Sequence, residues 1–149
     1  MATVLRNALA VALGLAVGAG VNMALVVLGP YVIAPPPGVD VSDSQSLAAS
    51  MHLFGPRHFV FPFLAHALGT LVGAFTAFLA AATRRAALAG AIGVAFFAGG
   101  VAATFMIPAP IWFVALDLVG AYLPMAWLGA LLGRRVAGRS ARVAAPPQS

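Results

Sequence analysis

The sequence predicts an all-α integral membrane protein, with a four-helix bundle in residues 1–133 and a short basic tail in residues 134–149. Three observations support this fold class. Hydrophobic residues make up 62% of the chain, and charged residues only 7%, whereas a soluble domain has about 25% charged residues. Four apolar runs are also long enough to cross the hydrocarbon core, which takes about 20 helical residues. These runs cover residues 8–28, 59–82, 86–107 and 111–132.

The composition excludes several classes of site. The chain has no cysteine, which excludes disulfides, thiolate zinc sites and cysteine-ligated iron–sulfur clusters. Its net charge of +5 does not indicate nucleic-acid binding, because most arginines flank apolar runs, where membrane topology explains them. No phosphate-binding loop, dinucleotide fingerprint or zincin motif is present. We therefore expect the lipid bilayer as a partner, no nucleic acid, no catalytic residues and a role that is not enzymatic.

The first run follows Arg6, so a signal peptide is the competing interpretation. The apolar part of a signal peptide has only about 7–15 residues, whereas this run continues to a stop at Gly29-Pro30. We therefore expect an uncleaved spanning helix. Its Gly14 and Gly18 are four residues apart and permit close approach of another helix.

The long connection, residues 30–58, is expected to lie outside the membrane. Its proline-rich start is stiff, and Ser42 or Asp43 can cap a short helix with one apolar side. We expect this amphipathic helix to lie on the membrane surface. It is either a plain connector or a lid over a site beneath it.

The remaining runs carry small residues on their helix-facing sides. In the second run, Gly69 and Gly73 share a face with His66. In the fourth, Pro124 is expected to kink the helix, because it leaves the carbonyl of Gly120 without its usual partner. The predicted packing glycines are Gly14, Gly18, Gly69, Gly73, Gly129 and Gly133.

The arginines predict the orientation. In a four-span arrangement Arg57 is the one arginine on the side of the long connection, and the others lie on the opposite side. Cytoplasmic segments carry the excess of arginine, so both termini are expected in the cytoplasm of a bacterium, with the bundle in its inner membrane. The tail is expected to be disordered and drawn to anionic lipid. The predicted determinants of topology and lipid contact are Arg84, Arg85, Arg134 and Arg135.

Three strongly polar side chains fall inside the apolar runs: Asn22, His66 and Asp117. With a rise of about 1.5 Å per residue, each is about 9–10 Å from the outer end of its run. An isolated charge deep in the bilayer costs about 2.5–3.5 kcal/mol, so Asp117 is expected to bind a proton or to meet a donor. We predict a His66–Asp117 contact, with Asn22 close enough to add a hydrogen bond and the long connection as a roof.

A polar pair in a membrane is either a functional site or a means of holding helices together. No second acidic residue lies in a run, so no proton relay is visible and the structural clamp is favoured. The alternatives are a proton-linked or small-ligand site and an interaction surface. A dry, closed contact would favour the clamp, and a polar path open to water would favour a transporter.

Metal and haem sites have little support. His58 and His66 are eight residues apart, about 12 Å along a helix, which is too far for one metal ion. Haem b between helices needs two axial histidines, and only His66 lies at membrane depth, so a monomer does not supply the pair. We therefore predict no metal and no cofactor.

Four segments taken together resemble a known group of proteins. They are residues 38–43 (GVDVSD), 64–74 (LAHALGTLVGA), 107–113 (IPAPIWF) and 122–129 (YLPMAWLG). The group consists of small, uncharacterised bacterial membrane proteins with four predicted spans. The resemblance covers most of the chain apart from the tail. It implies the fold and the membrane location, and it implies no activity and no catalytic residues.

The favoured interpretation is a non-enzymatic inner-membrane protein that works in a homo-oligomer or as an accessory subunit of a larger membrane complex. Glycine-rich faces on every predicted helix exceed what one small bundle needs, which favours the oligomer. The alternatives are a small transporter or channel that uses His66 and Asp117, and a subunit that binds haem or quinone near His66.

Overall fold

The computed structural model describes residues 1–144, and every regular element in this part of the chain is helical. The helices are α1 (Ala2–Val32), α2 (Ser44–Ser50), α3 (Val60–Ala80), α4 (Arg85–Met106), α5 (Ile111–Gly120) and α6 (Leu123–Ala144). Two 3₁₀ turns, Met51–Leu53 and Pro56–Phe59, lead from α2 into α3. Four stretches are long and apolar enough to cross a membrane: α1, residues 56–80, α4, and the pair α5–α6 up to residue 139. The chain is therefore a multi-pass membrane protein.

Helix α1 is longer than its apolar run predicts. The sequence places a stop at Gly29-Pro30, but α1 continues to Val32, with Pro30 in its last turn. Proline lacks the N–H for one helical hydrogen bond, and here the helix continues past that missing bond. The N–H of Ile33 donates to the carbonyl of Gly29 at 2.8 Å and closes the last turn. The predicted stop is therefore wrong by about one helical turn.

Helix α3 is the centre of the bundle, with α1, α4 and α6 packed around it. Helix α1 runs antiparallel to it, and the two backbones come close where glycines meet. A Cβ added to Gly14 would lie 2.7 Å from the carbonyl oxygen of Gly73, and one added to Gly18 would lie 2.7 Å from that of Gly69. These four glycines form what we call the glycine seam. No side chain larger than hydrogen fits at these points.

Helix α6 packs on another side of α3, again through small residues. A Cβ on Gly129 would lie 2.6 Å from the carbonyl oxygen of Leu71, and one on Gly133 would lie 2.5 Å from the ring of Phe78. Ile92 of α4 is fully buried and belongs to the same apolar cluster. Backbone-to-backbone contact therefore places α3 between α1 and α6.

The fourth span is broken rather than merely kinked. Helix α5 ends at Gly120, Ala121 and Tyr122 are non-helical, and α6 begins at Leu123. Pro124 lacks the N–H that would pair with Gly120, so the helical ladder is interrupted there. The helix resumes with a bond from the N–H of Ala126 to the carbonyl of Tyr122 at 2.8 Å. The predicted distortion at Pro124 is confirmed, and the fourth span consists of two helices rather than one.

Helix α6 continues through Ala144, past the predicted end of the fourth span and into the segment predicted as a basic tail. This stretch holds alanine and arginine, which favour helix, and a single glycine, and the first proline comes only at Pro146. The rest of the tail prediction, for residues 145–149, lies outside the described part of the chain.

The arginines gather at one end of the bundle, which we call the arginine end. There the Nε of Arg6 donates to the carbonyl of Ala80 at 3.0 Å. The amide oxygen of Asn7 accepts from the N–H of Ala82 at 3.0 Å and from that of Thr83 at 3.2 Å. The start of α1 is thus bonded to the turn between α3 and α4. This end includes Arg6, Arg84, Arg85, Arg134 and Arg135.

Candidate functional site

The predicted contact between His66 and Asp117 is confirmed. The Nδ1 of His66, on α3, lies 2.9 Å from each carboxylate oxygen of Asp117, near the end of α5. The two residues are 51 positions apart in sequence, and it is the membrane depth of their spans that brings them to one height. A hydrogen bond between His66 and Asp117 therefore joins the central helix to the first half of the broken span.

Tyr122 is a third member of this group that the sequence did not reveal. Its hydroxyl donates to the Oδ2 of Asp117 at 2.8 Å, and its ring is stacked on that of His66 with centroids 5.6 Å apart. In a continuous helix, residues five apart point about 140° away from each other, so sequence spacing argues against this contact. The residue in the sequence that could have indicated this contact is Pro124. It breaks the helix between Asp117 and Tyr122, and the break removes the angular restriction.

Glycine also makes room for Tyr122. A Cβ on Gly100 of α4 would overlap the Tyr122 hydroxyl. With no side chain at Gly100, the phenol can lie fully buried against α4 and reach Asp117. We call His66, Asp117 and Tyr122 the clamp, since they draw together α3, α5 and the start of α6.

The clamp is closed on the carboxylate side and open on the imidazole side. The side chain of Asp117 is only 7% exposed, whereas that of His66 is 26% exposed. Because the carboxylate also accepts from Tyr122, the network assigns the proton between His66 and Asp117 to Nδ1. In the neutral form of the imidazole, Nε2 then carries no proton, and no hydrogen bond to this atom comes from the described residues.

Asn22 lies near the clamp but does not join it. It lines a groove of about 390 Å³ between α1 and α4, and His66 and Tyr122 line the same groove. Its backbone and Cβ pack against Gly69. Within the described chain no residue hydrogen-bonds to the Asn22 amide. The expected hydrogen bond from Asn22 to the pair is therefore not formed, because the groove separates them.

The long connection does not cover this groove, since no residue between α1 and α3 lines it. The expectation of a roof over the pair is not supported there. The connection instead closes over a separate apolar cavity of about 160 Å³, lined by Pro35, Leu47 and Phe54 among others. Its capping prediction is confirmed: the carboxylate of Asp43 accepts from the N–H of Ser46 at 2.8 Å.

Thr70, one turn along α3 from His66, contributes nothing to the clamp. It is fully buried, and its hydroxyl has no partner within the described residues. Such a group is destabilising, since its water contacts are lost without replacement. Thr70 thus provides a natural contrast with Tyr122, whose hydroxyl is equally buried but paired.

The site can act only through the imidazole of His66, whose orientation is held by its neighbours. Its Nε2 can accept a hydrogen bond or bind one metal ion or proton, while the carboxylate behind it fixes the tautomer. Within the described residues no three histidine, cysteine or acidic side chains come together as metal ligands. The geometry thus offers a hydrogen-bonding group at the wall of an apolar groove.

Comparison with known proteins gives no match. No family model matches the chain, no curated protein matches its sequence and no solved structure matches it. The resemblance to small four-span bacterial proteins therefore rests on the four sequence segments alone. The site is interpreted from its own geometry.

Proposed function

We propose that this chain is a non-enzymatic structural subunit of a bacterial inner membrane, with both termini in the cytoplasm, that works beside further copies of itself or within a larger membrane complex. The observation that carries the proposal is the closed state of the carboxylate. Asp117 is buried and accepts from two donors on different elements. A carboxylate so enclosed serves to hold helices together rather than to exchange protons with water.

The groove supports the same choice over a transporter. A transporter needs polar side chains along a path to each side of the membrane, so that a hydrophilic substrate stays solvated. The groove wall carries polar side chains only at Asn22, His66 and Tyr122, and its remaining lining is apolar or glycine. These three lie at one height and do not form a path.

Association with another chain is supported by α1, the least buried of the four spans. Leu9, Leu13 and Gly20 fall on one face of α1, because they are four and seven residues apart. Both leucines are exposed, and a Cβ on Gly20 would meet nothing within 4 Å. An unfilled glycine on an outward face permits close approach of a second helix.

The arginine end supports the proposed orientation. Arginines concentrate on the cytoplasmic side of membrane proteins, where they also attract anionic lipid. Arg84, Arg85, Arg134 and Arg135 are the residues that we assign to this role, with anionic lipid headgroups as their partners.

Single-cysteine cross-linking tests the subunit proposal, and the absence of native cysteine makes the experiment free of background. In membranes, Leu13→Cys should give a disulfide-linked dimer on mild oxidation. Val119→Cys, at a more exposed position on α5, is the control and should stay monomeric. Native mass spectrometry of the unmodified chain in mild detergent should show the same oligomer. A monomer in both measurements, with no copurifying membrane protein, would refute the proposal.

A further inference from the structure

Two polar groups face the same groove with nothing bonded to them. One is the Nε2 of His66, whose other nitrogen is held by Asp117. The other is the amide of Asn22 on α1. Neither has a hydrogen-bond partner among the residues that the structure describes. The clamp gives Nδ1 of His66 a hydrogen-bond partner, but it gives no partner to Nε2 of His66 or to the amide of Asn22.

The surroundings of the groove are lipid rather than water. Its rim includes Met23 of α1 and Gly99 of α4, both exposed on the outer surface of spanning helices. Hydrogen-bonding groups turned toward hydrocarbon lack the water that would satisfy them at a soluble surface. A molecule that reaches this groove dissolved in the membrane can satisfy both groups at once.

The shape of the groove suits a small ring with an apolar tail. Its volume of about 390 Å³ is within the usual range for small-molecule sites, roughly 300–1,000 Å³. Leu15 and Phe96 provide apolar and aromatic walls, and Gly99 and Gly100 leave space where side chains would stand. An aromatic ring packs well against a wall of this kind.

The Asp117 carboxylate behind His66 determines which kind of ligand the imidazole favours. When the imidazole is neutral and its proton lies on Nδ1, between the ring and the Asp117 carboxylate, Nε2 is an acceptor. It therefore favours a ligand that donates a hydrogen. A fatty-acid carboxylate would meet the negative charge of Asp117, a quinone carbonyl has no hydrogen to donate, and an acyl chain satisfies neither polar group.

We propose that this groove binds a neutral, lipid-soluble phenol or quinol. Its O–H donates to the Nε2 of His66, and its oxygen accepts from the Asn22 amide. Its ring packs against Phe96, and its tail leaves between α1 and α4. The clamp then has a second role, because Asp117 and Tyr122 hold the imidazole in the tautomer that this ligand needs.

Binding to the purified chain in lipid nanodiscs under anaerobic conditions tests the proposal. The probes are a short-tailed quinol, its quinone and its dimethyl ether, which share one ring and one tail. The quinol should bind at least about tenfold more tightly than either of the others, because only it donates a hydrogen. Binding should also move the ¹⁵N signal of His66 Nε2, while those of His52 and His58 stay in place.

Three variants locate the site. Gly99→Leu should abolish binding and leave the fold intact, since a Cβ at Gly99 meets nothing within 4 Å. Asn22→Leu should weaken binding several-fold, and His66→Phe should remove the preference for quinol. His52→Phe, in the exposed 3₁₀ turn outside the groove, is the control and should change nothing.

Other outcomes would overturn the proposal. Equal affinity for all three probes would mean that the groove takes apolar chains alone, and tighter binding of the quinone would mean that His66 donates. Quinol binding that survives Gly99→Leu would place the ligand elsewhere. None of these results depends on whether the chain forms an oligomer.

Discussion

The two main contacts of α3 are built in opposite ways. Toward α1, the glycine seam brings backbone against backbone, and a Cβ at Gly14 or Gly73 would lie 2.7 Å from the facing carbonyl oxygen. Toward the broken span, the clamp places a carboxylate between an imidazole and a phenol. One contact depends on the absence of side chains, and the other depends on the chemistry of three of them.

The difference follows from the helices that are joined. Helix α1 is continuous along the contact, so Gly14 and Gly18, on successive turns, each meet a glycine of α3. The fourth span is interrupted after Gly120, and the direction of α5 relative to α6 is not fixed by a helical ladder. Hydrogen bonds to Asp117 fix it instead. Small residues therefore set distance in this bundle, and polar residues set direction.

The largest effect should come from filling the glycine seam. Gly73→Leu places a side chain against the carbonyl of Gly14 and the backbone of Gly18, and neither can yield without separating α1 from α3. We expect a loss of about 3 kcal/mol in the free energy of unfolding, as for severe overpacking. Gly20→Leu, where a Cβ meets nothing within 4 Å, is the control. Titration with a denaturing detergent measures both, and equal stability of the two variants would contradict the role of the seam.

Breaking the clamp should cost somewhat less. His66→Ala and Asp117→Asn should each lower stability by about 1–3 kcal/mol, because a buried group loses its partner. The double variant should lose less than the sum of the two, with a coupling energy of roughly 0.6–1.7 kcal/mol. His52→Ala, at an exposed position, should be neutral. Strictly additive losses would argue against a direct contact between His66 and Asp117.

A smaller effect is expected at the third member of the clamp. Tyr122→Phe keeps the ring and removes one of the donors to Asp117, so it should cost about 1 kcal/mol. Thr70→Val removes a buried hydroxyl that has no partner among the described residues, and it should be neutral or stabilising. The opposite signs distinguish a bonded hydroxyl from an orphaned one. The same loss at both positions would show that burial alone, and not the bond to Asp117, matters.

The smallest effect should be confined to the long connection. Its Asp40 carboxylate is exposed, whereas that of Asp117 is buried. The hydroxyl of Ser42, followed by its N–H, donates to Asp40 and lowers the pKa of that carboxyl below its usual range. Because the folded pKa is lowered, the stabilisation is complete above the unfolded pKa and is lost as pH falls through the folded pKa. An NMR titration should show that Ser42→Ala raises the pKa of Asp40, while Ser44→Ala leaves it in place. An unchanged pKa of Asp40 in Ser42→Ala would contradict the role of these two hydrogen bonds.

The sequence predicted the depth of each polar residue in the membrane better than it predicted which residues touch each other. The length of each apolar run predicted four spans, and counting residues from the outer ends placed His66 and Asp117 at one level, where they form their pair. Tyr122 was missed because regular helical geometry points it away from Asp117. The separation of Asn22 from the pair, and the groove between them, depend on how far apart α1 and α4 lie. No local pattern encodes that distance.

The amino-acid sequence by itself determined that this chain crosses a membrane, how many times, and which polar residues share a depth. It could do so because the bilayer imposes one axis, along which hydropathy and helical rise translate directly into position. Only the tertiary structure decided which side chains face each other around that axis. The break before Pro124, the space left by Gly100 and the closeness of the glycine seam act together over residues far apart in sequence. Packing of this kind is a property of the assembled helices and not of any one of them.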